Sequence, residues 1–229
     1  RWPWGTVPEE CFHEAVELKS TCIPHDLEVY EVLYKDCIHP HIVCRCKNSP
    51  VPIGSLAIRI GQVPVRARQH VHSWHAFASP DCHAATADNR ISIYGDCLLR
   101  RPTDIFHEVA HILDCNPDIA GKNQHCYSTN SSEWKKIVAK DSCLANPYSK
   151  TGYPEAYAEI AVLVAYHLNI RKLEKSDCMK GQLDKVTQQL GGQSGFLKNV
   201  KGAKCSGSVN RHKTVCMGSA ARNQGKCKG

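Results

Sequence analysis

Two histidines four residues apart are the first residues in this sequence that could do chemistry. His107 and His111 begin and end the pentad HEVAH. Residues four apart lie on one face of an α-helix, so both imidazoles can reach the same metal ion. Histidine nitrogens are ligands typical of zinc, and this spacing therefore predicts a zinc site. The alternative is a helix that carries two surface histidines.

The glutamate inside the pentad points in a different direction from the histidines. Glu108 lies about 100° around the helix from His107, which places its carboxylate beside a zinc-bound water and not on the zinc. Zinc lowers the pKa of such a water, and a carboxylate can take its proton as the hydroxide attacks a carbonyl. The pentad therefore predicts a hydrolase in which Glu108 is the general base.

A zinc hydrolase needs a third protein ligand, and a helix further along the chain offers one. Residues 154–166 are apolar nearly all round, which is typical of a buried helix, yet they include Glu155 and Glu159 on one face. Buried carboxylates are costly unless they are paired, coordinated or protonated. We predict that Glu155 binds the zinc and that Glu159 accepts a hydrogen bond from a ligand histidine. Two exposed glutamates in the first helical turns are the alternative.

Other third ligands agree less well with the spacing. The extended motif HExxHxxGxxH fails, because Asp114 stands in place of its glycine and Pro117 in place of its third histidine. Asp114 lies about 10 Å along the helix axis from His107. We expect Asp114 to be a hydrogen-bond acceptor in the second shell or a polar residue at the helix end. A loop histidine such as His125 is the remaining option if Glu155 does not bind.

The pattern downstream of the pentad resembles a known group of enzymes. HEVAHILD, SEWKK, a tyrosine and EAYAE are together similar to the anthrax-lethal-factor-like branch of the gluzincin metallopeptidases, over residues 90–168. The resemblance implies that Glu155 is the third zinc ligand and that Glu159 supports a ligand histidine. It also implies that Tyr148, seven residues before the ligand glutamate, stabilises the oxyanion. Tyr153 could fill that role equally.

The same resemblance implies an α+β, zincin-like fold with a small twisted sheet over an active-site helix. The alternating segment Arg90–Tyr94 would then be the edge strand of the sheet. An extended peptide substrate could add to that edge by backbone hydrogen bonds. An internal strand is the alternative.

Caps, breakers and periodicity predict the elements that must position these residues. We expect helices after Pro8 and near Pro24, strands at residues 70–77 and 90–94, short strands or a short helix within residues 51–67, and helices at residues 105–114, 132–141, 154–168 and 180–190. In the second of these helices, Leu27, Tyr30 and Leu33 share one face.

The other histidines have no ligand spacing as clear as that of the pentad. His70, His72 and His75 lie close together in the sequence and could take up adventitious metal. We expect them to be surface groups. They therefore add no site to the prediction.

The fourteen cysteines are the strongest compositional signal. Their even number allows up to seven disulfides, whose connectivity cannot be read from spacing. No CxxC pair is present, which disfavours a zinc ribbon or a thioredoxin-type motif. So many thiols indicate an oxidising compartment, and we expect a secreted, extracellular protein. The sequon at Asn130 fits secretion, and the first residues lead us to expect a mature chain whose leader has been removed.

Positive charge is concentrated at the end of the chain. The formal net charge is +7, and residues 192–229 hold eight Lys or Arg and no Asp or Glu. We expect one catalytic domain at residues 1–191, with a cysteine-rich helical part at 1–50, and a basic tail at 192–229. The tail is either tied down by its three cysteines or a loose arm that binds an anionic surface or glycan. No apolar run approaches the roughly 18 residues of a membrane span.

Together these features predict a secreted zinc-dependent endopeptidase that acts on protein or peptide substrates. One zinc ion is its cofactor, and we expect a monomer with no nucleic-acid partner. The alternative is a non-catalytic, cationic, disulfide-rich protein that binds surfaces on a zincin scaffold. A zinc amidohydrolase acting on a non-peptide bond is a third possibility.

Overall fold

The chain folds into two units, each of which takes residues from separate stretches of sequence. The computed structural model describes residues 1–18, 21–121, 126–205 and 212–228, so His125 lies outside the described residues. Unit 1 comprises Arg1–Gly61, Val71–Pro102 and Cys205–Gly229, and unit 2 comprises Gln62–His70 and Thr103–Lys204. The predicted domain boundary at Gly192 differs from the boundary between the units. Residues 192–204 belong to unit 2, and the chain returns to unit 1 at Cys205.

Strands and helices are both present, so the α+β prediction is confirmed. The strands, numbered in chain order, are β1 Thr6–Pro8, β2 Leu27–Val32, β3 His41–Cys46, β4 Ser73–Phe77, β5 His83–Ala87, β6 Arg90–Tyr94 and β7 Thr214–Cys216. The helices are α1 Glu9–Glu17, α2 Ile53–Gln62, α3 Val65–Arg68, α4 Cys97–Arg100, α5 Asp104–Asp114, α6 Pro117–Ala120, α7 Tyr127–Asn130, α8 Ser132–Lys140, α9 Tyr153–Asn169, α10 Lys180–Val186 and α11 Ser219–Asn223. Short 3-10 turns cover Pro24–Asp26, Pro147–Thr151 and Asp177–Met179, and a π-helical turn covers Thr187–Gly191.

The larger sheet of unit 1 has the strand order β2-β3-β4-β6-β5. The β3–β4 and β4–β6 pairs are parallel, and the outer pairs, β2–β3 and β5–β6, are antiparallel. The prediction that Arg90–Tyr94 is the edge strand is wrong, because β5 covers it. The two strands form a hairpin whose turn residues, Asp88 and Asn89, both have positive φ, as a type I′ turn requires.

A two-stranded sheet joins the beginning of the chain to its end. Strand β1 pairs antiparallel with β7, so that Val7 lies opposite Val215. The Cys37–Cys205 and Cys216–Cys227 disulfides flank this segment. The described tail residues from Cys205 onward are therefore tied to unit 1.

Disulfides staple both units. Among the described residues every cysteine is paired. Unit 1 holds Cys11–Cys44, Cys22–Cys46, Cys37–Cys205, Cys82–Cys97 and Cys216–Cys227, and unit 2 holds Cys115–Cys126 and Cys143–Cys178. The Cys11–Cys44 disulfide fastens the short helix α1 to strand β3.

The predicted helix near Pro24 is wrong. Residues 27–32 form β2, in which Leu27 and Val29 are buried and Tyr30 alternates outward. The apolar spacing was compatible with one helical face, but pairing with β3 and the Cys22–Cys46 disulfide select the strand. The helices predicted after Pro8 and at residues 105–114, 132–141 and 154–168 are confirmed by α1, α5, α8 and α9.

Unit 2 is built around the packing of α5 against α9. Val109 and Ile112 of α5 and Ile160 and Ala161 of α9 are buried apolar side chains in these helices. Burial of such side chains contributes about 1.5–3 kcal/mol for each large one and sets the rotation of each helix. Among the residues described, no helix combines the length and apolarity that crossing a membrane requires.

Candidate metal centre

Three ligand atoms converge in unit 2. Helix α5 presents His107 and His111 on one face, one turn apart, and the first turn of α9 presents Glu155. The two Nε2 atoms are 3.0 Å apart. Glu155 Oε2 lies 3.0 Å from His107 Nε2 and 3.4 Å from His111 Nε2. The predicted zinc ligands are thus brought together, with the imidazole rings nearly perpendicular at 80°.

The size of this triangle fits a tetrahedral zinc ion. Zinc bonds to nitrogen and oxygen of about 2.0–2.1 Å give a tetrahedron with edges of about 3.3 Å. The three measured distances are 3.0–3.4 Å. Two imidazoles and one carboxylate are a donor set that zinc accepts in sites with one open position. The residues present therefore fit the ion by geometry and by chemistry.

A second carboxylate lies behind the first histidine. Glu159, one turn after Glu155 on α9, places Oε1 3.0 Å from His107 Nδ1. That Nδ1 atom is buried and makes no well-aligned hydrogen bond within the described part of the chain. Asn146 Nδ2 donates to the other oxygen of Glu159 at 2.6 Å. The contact places a carboxylate on the side of the ring opposite Nε2, which faces the other two ligand atoms.

The electrostatics of the centre favour a cation. Burial acts to lower the pKa of His107, but the carboxylates of Glu159, Glu108 and Glu155 outweigh it and raise that pKa above its ordinary value. The neighbouring His111 ring lowers the pKa of Glu155, and the neighbouring His107 ring lowers the pKa of Glu159. Both carboxylates are therefore anionic at neutral pH, and their negative charge favours a divalent ion at the two Nε2 atoms and Glu155.

The two candidate tyrosines lie in different surroundings. The Tyr148 ring is 5.9 Å from the His107 ring, and its pKa is raised by burial and by the carboxylates of Glu155 and Glu108. Tyr153 instead lies beside α8, where the Lys135 ammonium is 5.5 Å from its ring. The structure brings Tyr148 to the centre, and the contacts of Tyr153 are with α8.

Two other predicted residues take distinct positions. Glu108 is buried, with 6% of its surface exposed, and adds negative charge near His107. Asp114 is also buried and accepts hydrogen bonds from the backbone N–H and the hydroxyl of Ser128 at the start of α7. Burial raises the pKa of Asp114. Its described hydrogen bonds therefore position α7 and do not reach either ligand histidine.

Sequence reasoning missed the surroundings of the other histidines. His75 is fully buried and pairs with the buried Glu14, so the expectation of a surface group is wrong there. His72 lies beside Glu10 and His212, which are distant in sequence. No local spacing could reveal either grouping, because each depends on strand pairing and disulfides.

Comparison with known proteins overturns the enzyme assignment. The family model described as "Conidiation-specific protein Con-13" matches residues 1–229. Conidiation-specific protein 13 of Neurospora crassa is 39% identical over 229 residues, which cover 99% of this chain. The chain spans 65% of the length of that relative. No solved structure matches the chain.

These matches make the prediction of a gluzincin metallopeptidase wrong, and with it the zinc-dependent endopeptidase, hydrolase and zincin assignments. No peptidase family matches, and the name of the relative refers to conidiation and not to a reaction. The alternative of a surface-binding protein on a zincin scaffold gains no support either. The resemblance rested on short motifs in about a third of the chain, and such motifs recur on unrelated folds. The match over all residues shows that the chain belongs to the conidiation-specific protein Con-13 family.

Proposed function

We propose that this protein binds one zinc ion through His107, His111 and Glu155. The observation that carries the proposal is the triangle of ligand atoms, whose edges of 3.0–3.4 Å match those of a tetrahedral zinc site. Three protein ligands leave a fourth position for a water or an external ligand atom.

The donor types favour zinc over the common alkaline-earth ions. Calcium and magnesium prefer sites made of oxygen, whereas two imidazoles and a carboxylate suit zinc. Copper and nickel compete for similar donors.

The setting of this zinc site is proposed to be extracellular. Disulfides throughout both units support an oxidising compartment. The name of the Neurospora crassa relative connects that protein with conidiation, and we extend this developmental setting to the present chain. The protein would then hold zinc outside the cell during spore formation.

Elemental analysis of matched variants tests the proposal. Glu155→Ala removes one ligand, and Glu174→Ala removes an exposed carboxylate elsewhere in unit 2. After reconstitution with zinc and removal of excess ion, Glu155→Ala should hold about one zinc per chain less than Glu174→Ala. Circular dichroism checks that both variants are folded. Equal zinc contents in the two folded variants, or no zinc uptake by the unsubstituted protein, would overturn the proposal.

A further inference from the structure

A second cluster of the same residue types lies in unit 1. Glu10, His72 and His212 have ligand atoms that all lie within 4.8 Å of one another. His72 Nε2 is 3.6 Å from Glu10 Oε1, and His212 Nδ1 hydrogen-bonds to the same oxygen. The two imidazole rings are 4.1 Å apart between centroids and tilted by 47°. We propose that this Glu10 cluster is a second binding site for a divalent transition metal ion such as Zn²⁺.

The backbone at each of the three residues is held in place. Glu10 lies in the first turn of α1, beside Cys11, which is bridged to Cys44 in β3. The backbone N–H of His72 donates to the carbonyl of Asn89 at 2.7 Å just before β4 begins. A metal site with such fixed supports loses little entropy when the ion binds.

The third ligand is anchored by its neighbour. The backbone N–H of Glu9 donates a hydrogen bond to the carbonyl of Lys213 at 2.7 Å. The Lys213 ammonium also lies 2.7 Å from Glu9 Oε1. Strand β7 begins at the next residue and pairs with β1. The β1–β7 strand pair and the Lys213–Glu9 ion pair therefore position His212 beside Glu10, and neither interaction involves the His212 side chain.

The charges of the Glu10 cluster also favour a metal ion. Burial acts to raise the pKa of Glu10, but hydrogen bonds with His212 and His72 outweigh it and hold that pKa well below its ordinary value. The two rings lie 4.1 Å apart between centroids, beside this one carboxylate. A dication can use the lone pairs of two neutral rings together with the carboxylate.

Metal binding here would cross-link distant parts of the chain. His212 and Glu10 are 202 positions apart in the sequence, and His72 belongs to a third segment. The ion would hold the segment that leads into β7 against the first turn of α1. Binding should therefore slow hydrogen exchange in β7, in addition to adding metal to the protein.

The test uses the whole chain with the first centre removed. In a Glu155→Ala background, Zn²⁺ is titrated against a competing chromophoric chelator. We expect about one remaining zinc equivalent, bound at least tenfold more weakly after His212→Gln and unchanged after His39→Gln, which alters an exposed histidine of unit 1. Zinc should slow exchange of the β7 amides in the background protein and in the control, but not in His212→Gln.

Further outcomes separate this site from the first one. Glu10→Gln keeps the shape of the side chain and should also weaken binding, which guards against a folding defect in the histidine variant. No zinc bound by the folded Glu155→Ala background, or equal affinity with and without His212, would overturn the Glu10 site. Zinc that persists fully in Glu155→Ala and disappears on adding His212→Gln would support the Glu10 site while the α5–α9 centre fails.

Discussion

The α5–α9 centre and the Glu10 cluster have the same donor types but are built in different ways. In the first, one helical turn sets the spacing of His107 and His111, and the packing of α9 on α5 supplies Glu155. In the second, Glu10 and His212 come from opposite ends of the chain. The comparison shows that one arrangement is encoded locally and the other depends on long-range connections.

The two clusters also differ in how closely their atoms approach. Ligand atoms of the α5–α9 centre lie 3.0–3.4 Å apart, close to the edge of a zinc tetrahedron. In the Glu10 cluster the distance from His72 Nε2 to Glu10 Oε1 is 3.6 Å and the three ligand atoms lie within 4.8 Å of one another, so side chains must shift to bind. We therefore expect tighter zinc binding at the α5–α9 centre.

Removing one disulfide should separate the two clusters most strongly. Cys11→Ala with Cys44→Ala frees α1 from β3 next to Glu10, whereas α9 carries no cysteine. We expect a loss of about 2–5 kcal/mol in the free energy of unfolding of unit 1 and weaker zinc binding at the Glu10 cluster. Urea unfolding and zinc titration measure the two effects.

The control for this prediction removes another disulfide of unit 1. Cys82→Ala with Cys97→Ala opens a bridge between residues 15 positions apart, flanking the β5–β6 hairpin. It should also destabilise unit 1 but leave zinc binding at the Glu10 cluster in place. If both double variants weakened zinc binding equally, the cluster would depend on general stability and not on the anchoring of α1.

Acid should affect unit 1 through a buried carboxylate that binds no metal. Burial acts to raise the pKa of Glu14, but hydrogen bonds from His75, Ser92 and Tyr94 outweigh it and lower the pKa from 4.5 to about 2. A lowered pKa gives stability that is present above pH 4.5 and is lost as the pH falls towards 2. The loss should be on the order of 3 kcal/mol, measured by urea unfolding across this range.

This acid effect can be distinguished from metal release. The pKa of His107 is raised and the pKa of Glu14 is lowered to about 2, so protons should displace zinc from the α5–α9 centre at a higher pH than the one at which Glu14 protonates. Glu14→Gln should flatten the acid dependence of unfolding and leave zinc release unchanged. A variant that kept the full acid dependence would show that other carboxylates are responsible.

Local sequence patterns were sufficient for the α5–α9 centre. The spacing of His107 and His111 and the carboxylate face of α9 predicted which side chains meet. Strand β6 was also predicted. Its internal position in the sheet was missed, because the prediction overlooked the two-residue turn at Asp88 and Asn89. Here the missing information was present in the sequence as turn chemistry.

Other features could not be read from local patterns. Residues 27–32 have apolar spacing that suits either a helix or a strand, and only pairing with β3 decides. The Glu10 cluster needs the β1–β7 pair, which no short window contains. The family could not be read from the site, since a pentad that fits zinc well recurs in unrelated proteins. The match over the full chain shows that this protein belongs to the Con-13 family.

The smallest predicted effect concerns the residue behind the first zinc ligand. Glu159→Gln keeps the size of the side chain but removes the charge that faces His107 Nδ1 at 3.0 Å. The neutral amide should hold the ring less firmly and make it a weaker donor, so zinc affinity at the α5–α9 centre should fall about 10–100-fold. Chelator competition measures this change in a His212→Gln background.

A matched variant shows whether the effect is specific to that contact. Glu133→Gln removes a carboxylate on α8 that pairs with Tyr127 and Lys185 instead of a ligand histidine. It should change zinc affinity by less than about twofold, because it leaves the orientation of His107 intact. An equal loss in both variants would mean that unit 2 responds to its overall negative charge. A loss of zinc affinity confined to Glu159→Gln would mean that the orientation of the His107 imidazole controls the affinity. In the Glu10 cluster, strand pairing and disulfides hold the ligands instead.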